Sequence, residues 1–210
     1  MTIFKKLLFV ALSFLYIPCT IFTSETPNYE TRKQYSISQF DPARDKNSAV
    51  NLCHKEWDKI IYIRNVKASD ISNNTKRSYC NDLFENYNNN AQLYGFQVLH
   101  ENDKFAGFVS YEMDHQKKEG SIEILAVDSD FRGKGYGKNL LVHSLEELGN
   151  KNINSIDICV LKDNIPALTL YKKTGFNKTS HRKNVPDKIV CLEYDPISIQ
   201  NSLSNQNSKA

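Results

Sequence analysis

The chain has 210 residues, is 40% hydrophobic, and carries 27 Lys and Arg against 24 Asp and Glu, a formal net charge of +3. That length suits one domain with appendages and can bury a real core. The basic residues are spread along the chain, not gathered into a stripe with interleaved aromatics, which speaks against nucleic-acid binding, and no internal repeat is visible.

The N-terminus opens with Lys5 and Lys6 ahead of the uncharged apolar run from Leu7 to Ile17. Such a run is of signal-peptide length, about half of what spans a bilayer as a helix. Residues 1–24 read as a secretory signal cleaved between Thr20 and Glu25, or as an uncleaved anchor, since apolar character resumes at Ile21 and Phe22 beyond Pro18. No pair of small residues sits three apart at the cleavage site, and Tyr16-Ile17-Pro18 before Cys19 departs from a lipoprotein box. Lysines ahead of the run favour placing the downstream domain outside the membrane. The expectation is a secreted or extracytoplasmic domain, with a membrane-anchored one as the alternative. Beyond the leader remain Cys53, Cys80, Cys159 and Cys191, an even set that allows two disulfides. A free cysteine as a small apolar filler is the commoner use in an α/β core. No cysteine pair has metal-ligand spacing and the five His are scattered, so no metal site is predicted.

Further along, Gln34 to Phe40 alternates as a first strand. Ala49, Val50, Cys53, Trp57, Ile60 and Ile61 recur at helical spacing, predicting a helix from Pro42 to Ile61. A weaker helix runs from about Ser72 to Tyr87. Gly95 to His100 and Phe105 to Met113, joined by Glu101-Asn102-Asp103-Lys104, predict a hairpin, and Ser121 to Val127 a further strand. Ser155 to Val160 alternates as a strand, and two more read as Asn177 to Lys183 and Lys188 to Tyr194. The polar tail, residues 198–210, lacks apolar periodicity and reads as disordered, leaving residues 25–197 as the domain.

The most informative stretch starts where the strand ending at Val127 meets the polar turn Asp128-Ser129-Asp130. Arg132-Gly133-Lys134-Gly135-Tyr136-Gly137-Lys138 then opens a helix with Tyr136, Leu140, Leu141, Leu145 and Leu148 at helical spacing. A helix start offers unpaired N–H groups and a positive dipole end, and glycines let an anion reach them. The chemistry is that of a phosphate or pyrophosphate site. Its spacing fits neither a Walker A loop nor a dinucleotide fingerprint. A second pattern comes after the strand at Ser155: Asn164, Ala167, Tyr171 and Gly175-Phe176, with Asn164 placed to cap a helix that Pro166 tolerates and Gly175 ends.

Arg132-x-x-Gly135-x-Gly137, succeeded in order by this second pattern, resembles the two signatures of the GCN5-related N-acetyltransferase (GNAT) superfamily. The resemblance implies an α/β fold: a central mixed, mostly antiparallel splayed sheet flanked by helices, with element order β-α-α-β-β-β-α-β-α-β-β. Cys159 and Cys191 would lie on neighbouring strands of that sheet. It implies acetyl-CoA as cosubstrate, its pantetheine arm along Leu125, Ala126 and Val127 and its pyrophosphate on the amides of Arg132, Gly133, Lys134, Gly135, Tyr136, Gly137 and Lys138. Asn164 would contact the arm, the Val127 N–H would polarise the thioester carbonyl, and Tyr171 would protonate the departing thiolate. Glu123 is the candidate general base. Strict alternation would put it on one face with Ser121, Leu125 and Val127. A cross-strand ion pair with a lysine is its alternative role, and Glu112 and Asp114 are further candidates for the base. An acyl-cysteine route through Cys159 would need an activating histidine that the sequence does not place. The implied function is transfer of an acetyl group to a primary amine of a peptide, protein or small molecule by direct attack. A non-catalytic CoA-binding or interaction module is the alternative, and a homodimer stays open. Acceptor choice would lie in the two N-terminal helices and the loop from His181 to Lys188.

Overall fold

The computed structural model describes residues 35–60, 72–178 and 185–194. The expected leader (1–24) with Cys19, the tail (198–210), Gln34, Ile61, and the stretch 179–184 of the expected strand and acceptor loop lie outside the described residues. Contacts divide the chain into Met1–Arg32, also outside them, and Lys33–Ala210, which carries all the described strands and helices.

Among the described residues, seven strands form one sheet in the order β1-β2-β3-β4-β5-β7-β6. They are β1 (Tyr35–Gln39), β2 (Tyr94–Glu101), β3 (Lys104–Asp114), β4 (Glu119–Val127), β5 (Ser155–Leu161), β6 (Phe176–Lys178) and β7 (Ile189–Tyr194). All neighbours pair antiparallel except β4 and β5, which are parallel. The helices are α1 (Pro42–Lys55), α2 (Trp57–Ile60), α3 (Asn73–Asn89), α4 (Tyr136–Asn150) and α5 (Ile165–Lys173). The expected order of elements is therefore present, with one extra short helix.

Strand alternation splits the apolar side chains between two cores, one on each face of the sheet. Val98 and Phe108 pack with Leu52, Cys53 and Trp57 from α1 and α2 and with Phe84 from α3. Their neighbours Leu99 and Val109 pack with Leu140, Leu141, Leu145 and Leu148 of α4 and Tyr171 of α5. Gly95 is required by this packing, because a Cβ there would stand 2.0 Å from the Tyr111 ring.

α1 starts firmly. Asp41 accepts from the Ala43 amide at 2.9 Å, Pro42 takes the first turn, and Asp45 reaches back to the Asp41 amide at 2.9 Å. The helix does not run on to Ile61 as its periodicity suggests. Glu56 leaves helical geometry at φ −95°, ψ 9°, and α2 restarts at Trp57. The break has a physical reason, since it turns Trp57 into the core and leaves the Glu56 carboxylate 2.7 Å from the Arg132 guanidinium.

The second departure lies in β4. β3 pairs Ser110 with Ile124 but Tyr111 with Ile122, so Glu123 is an extra residue, a β-bulge. Alternation is reset across it: Ile122, Leu125 and Val127 face the α4 side, and Ile124 and Ala126 face α1 and α3. The expectation that Glu123 shares a face with Ser121, Leu125 and Val127 by strict alternation is thus corrected. Beyond the bulge β4 also parts from β5. The two pair only from Glu119↔Ser155 to Ile122↔Ile158, while β4 continues on β3 to Val127 and β5 continues on β7 to Leu161. The sheet splays there.

Candidate active site

A cavity of about 750 Å³ fills the splay. Its walls are β4 from Ile122 to Val127, β5 from Ile158 to Leu161, the turn leading into α4, and the start of α5 with Tyr171. Of the expected site residues, Glu123, Leu125, Ala126, Val127, Arg132, Gly133, Gly135, Tyr136, Gly137, Lys138, Asn164 and Tyr171 all line it. Lys134 does not: its ammonium lies 2.7 Å from Glu101 and over the Phe131 ring at 4.9 Å.

The free edge of β4 is oriented for a ligand. The Asp128 amide donates to Ala106 on β3 at 2.9 Å. Successive residues of a strand present their N–H groups to opposite edges, so the Leu125 and Val127 amides point into the gap towards β5. The Val127 carbonyl on that edge is already engaged, accepting from Arg132 Nε at 2.9 Å.

The turn after β4 is built in steps. Asp128 accepts from the Asp130 amide at 3.2 Å and receives Lys55 of α1 at 3.1 Å, which pins the turn to the helix layer. Burial raises the Asp128 carboxyl, but the Asp130 amide, Lys55 and Ser129 outweigh it and hold the group below the ordinary carboxylate range. Gly133 and Gly135 then take left-handed backbone at φ 77° and 82°, with open space where a Cβ would project. Gly135 caps α4, whose first-turn amides at Tyr136, Gly137 and Lys138 have no partner within the helix. At Gly137 a Cβ would meet Leu170 at an ordinary 3.5 Å, so the fold does not demand glycine there. These features together make an open concavity of amides at a helix start, an arrangement that suits an anion.

The side chains of this turn serve mainly to hold it. Arg132 spans the Val127 carbonyl and the buried Glu56 carboxylate. Tyr136 is buried and donates to Glu101 at 2.6 Å; burial and that carboxylate push its phenol up to about 12. Tyr136 therefore offers the cleft its backbone, while its ring belongs to the core.

Across the gap, Asn164 caps α5 by accepting from the Ala167 amide at 3.3 Å, and Gly175 comes after the helix at φ 105°. Tyr171 is only 7% exposed yet lines the cleft. Burial pushes its phenol well above the ordinary tyrosine range, so it is held protonated. Glu123 is exposed on the bulge at the mouth of the same cleft. The alternative candidates lie away from it, Glu112 pairing with Ser121 and Asp114 sitting at the far end of β3 in an ion pair with Lys117 at 2.9 Å. Glu56 and Asp58 also line the cleft and were not expected. Within the sequence they sit in what reads as one continuous helix, and only the break at Glu56 turns them towards β4.

The four cysteines among the described residues are paired. Cys53 of α1 is bonded to Cys80 of α3, and Cys159 of β5 to Cys191 directly opposite on β7. The use of these residues as free apolar filler is corrected accordingly: their placement on adjacent helices and adjacent strands brings each pair within bonding reach.

The profile of the acetyltransferase (GNAT) family matches residues 56–176. The ribosomal protein bS18-alanine N-acetyltransferase of Salmonella typhimurium is 30% identical over 98 residues, covering 47% of this chain and 65% of the relative. A peptidyl-lysine N-acetyltransferase of the same organism is 31% identical over 137 residues, covering 64% of this chain and 85% of the relative. The chain thus spans just under two thirds of the first of these. Among solved structures, the PaiA N-acetyltransferase of Thermoplasma acidophilum in complex with coenzyme A superposes with a TM-score of 0.59 at 14% identity, over 77% of this chain and 99% of its own. The ribosomal-protein-S18-alanine N-acetyltransferase of Escherichia coli does so with a TM-score of 0.56 at 23% identity, over 77% and 94%.

Proposed function

Because the chain belongs to the acetyltransferase (GNAT) family, we propose that it is an acetyl-CoA-dependent N-acetyltransferase acting on a primary amine by direct attack in a ternary complex. The observation that carries this reading is the edge of β4 at Leu125 and Val127, beyond its last pair with β5, leading to a glycine turn whose helix-start amides lie open. When bound, acetyl-CoA supplies a thioester carbonyl as electrophile and a thiolate as leaving group. The amides from Gly133 to Lys138 hold the pyrophosphate, and the edge at Leu125, Ala126 and Val127 holds the pantetheine arm. The Val127 N–H polarises the carbonyl oxygen. Tyr171, kept protonated by its burial, delivers a proton to the thiolate. Glu123, at the cleft mouth, takes the proton that the attacking ammonium must lose, directly or through water. Asn164 lines the arm's path, with its side-chain oxygen spent on the helix cap.

The acceptor we propose is an amine of a polypeptide, a reading supported by relatives named for a protein alanine and for peptidyl lysine. The compartment we propose is an oxidising one outside the cytoplasm. Two disulfides account for all four cysteines among the described residues, and such bonds rarely persist where thiols are kept reduced.

Calorimetric titration of the full chain with acetyl-CoA, beside Gly135→Glu, tests the site. Affinity in the roughly micromolar range is expected, lost in the variant, whose carboxylate would project into the pyrophosphate cradle. A folded wild type that binds no acetyl-CoA would sink the reading.

A further inference from the structure

Cys159 stands one residue beyond Ile158, the last β5 residue paired with β4, and lines the splayed cleft. Its bonded partner Cys191 lies on the other side of β5, on β7, and is buried. The order β4-β5-β7 fixes the approach to this bond. A thiolate attacks a disulfide sulfur along the line of the bond that breaks. For the Cys159 sulfur, the side opposite Cys191 is the side of β4, which is the gap itself.

From this geometry we propose that the Cys159–Cys191 disulfide is a thiol-exchange site for coenzyme A, so that the thiol product of the reaction can tether itself in its own cleft. The inference rests on the cofactor placement proposed above. The step balances without an added oxidant or reductant. The CoA thiolate forms a bond to Cys159 Sγ, the Cys159–Cys191 bond breaks, and Cys191 leaves as a thiolate that takes a proton from solvent. Cys191 stays opposite Cys159, with the Cα atoms 4.1 Å apart, so the reverse attack expels CoA and restores the disulfide. The tethered state closes the cleft to acetyl-CoA. The intact disulfide leaves it open, which makes the enzyme answer to the ratio of CoA thiol to its acetylated form.

Wild-type full chain is incubated with CoA thiol, quenched with iodoacetamide to trap the released Cys191, and read by intact and peptide mass. Peptide mapping should place one CoA on Cys159 and one alkyl group on Cys191, with any alkylation of Cys19 subtracted using a control without CoA. Glutathione at the same concentration should react slower by on the order of 100-fold, since it lacks a seat in the cleft. Acetyl-CoA, which occupies that seat without a thiol, should protect. The Cys191→Ser variant, which cannot reverse the exchange, should be labelled stoichiometrically by CoA disulfide. Equal rates for CoA and glutathione, labelling that acetyl-CoA does not slow, or no CoA adduct on Cys159 in wild type would each overturn the proposal. Calorimetry on the same sample separates the two readings. Acetyl-CoA binding without a protected adduct defeats the exchange site alone, whereas absent binding defeats the cofactor placement beneath it.

Discussion

Burial holds the Tyr171 phenol protonated, so a proton is in place for the role proposed above, while making it a weaker acid than an ordinary tyrosine. In that role it would give up its proton only as negative charge develops on the leaving sulfur. Its position near the cleft and its raised pKa come from the same packing between α5 and β5. Tyr171→Phe keeps that packing and removes only the hydroxyl group. Steady-state kinetics should show kcat reduced about 100-fold with KM for acetyl-CoA nearly unchanged. A fall in acetyl-CoA affinity with kcat intact would make Tyr171 a binding residue instead. The pH profile gives a second check. An ordinary tyrosine ionises near about pH 10, and Tyr171 lies above that, so no descending limb from this group should appear below about pH 10. At this scale the sequence was informative about which residues share the cleft. Gly133, Gly135, Gly137, Asn164 and Tyr171 all line one cleft, as the family resemblance implied. Side-chain roles were not legible for Arg132 and Lys134, because their partners Glu56 and Glu101 come from elements far away in the chain.

At the scale of elements, α1 depends on a buried carboxylate that periodicity cannot announce. Asp45 is almost fully buried, with His100 at 3.1 Å and Arg44 at 2.8 Å, and it closes the N-terminal turn on the Asp41 amide. Burial raises its pKa, but the Arg44 hydrogen bond and the Asp41 amide outweigh it, so the folded value lies below the ordinary carboxylate value. The unfolded chain therefore binds this proton more readily. The stability Asp45 contributes is complete above about pH 4 and disappears as pH falls through its lower folded value. Asp45→Asn should lower the melting temperature at pH 7, and the gap to wild type should narrow below about pH 4; a gap independent of pH would assign the loss to packing. Gly95 in β2 makes a different kind of demand. Gly95→Ala forces the Tyr111 ring out of place and should cost about 1–3 kcal/mol in chemical denaturation, with acetyl-CoA affinity held. Strands and helices were readable because each buries one face, which writes a period into the sequence. The bulge at Glu123 and the break at Glu56 were not. Each is set by a partner across space: the β3 register in one case and Arg132 in the other.

For the molecule as a whole, the splayed sheet opens a large cavity between β4 and β5, the only parallel pair among the described strands. Strand pairing holds each half, β4 on β3 and β5 on β7, and no pair in the described ladder bridges the gap beyond Ile122. The two disulfides lie one in each half. Cys53–Cys80 ties α1 to α3 over the β2–β4 side, and Cys159–Cys191 ties β5 to β7. Pairing was left open by the sequence because four cysteines permit several connectivities and fold distance alone decides among them. Their positions predict different consequences of removal. Each bond closes a loop of 27 or 32 residues, for which the chain-entropy model gives roughly 3.5 kcal/mol, or about 7–14 °C in melting temperature for a domain of this size. The Cys53→Ala/Cys80→Ala variant should show that thermal loss while binding acetyl-CoA as wild type does, because its bond lies outside the cleft. The Cys159→Ala/Cys191→Ala variant should lose a similar amount of stability and also weaken acetyl-CoA binding, because the bond anchors the β5 wall that faces the cofactor edge. Calorimetry and thermal melts on the two variants decide it: equal affinity in both would show that β7 pairing alone holds that wall in place.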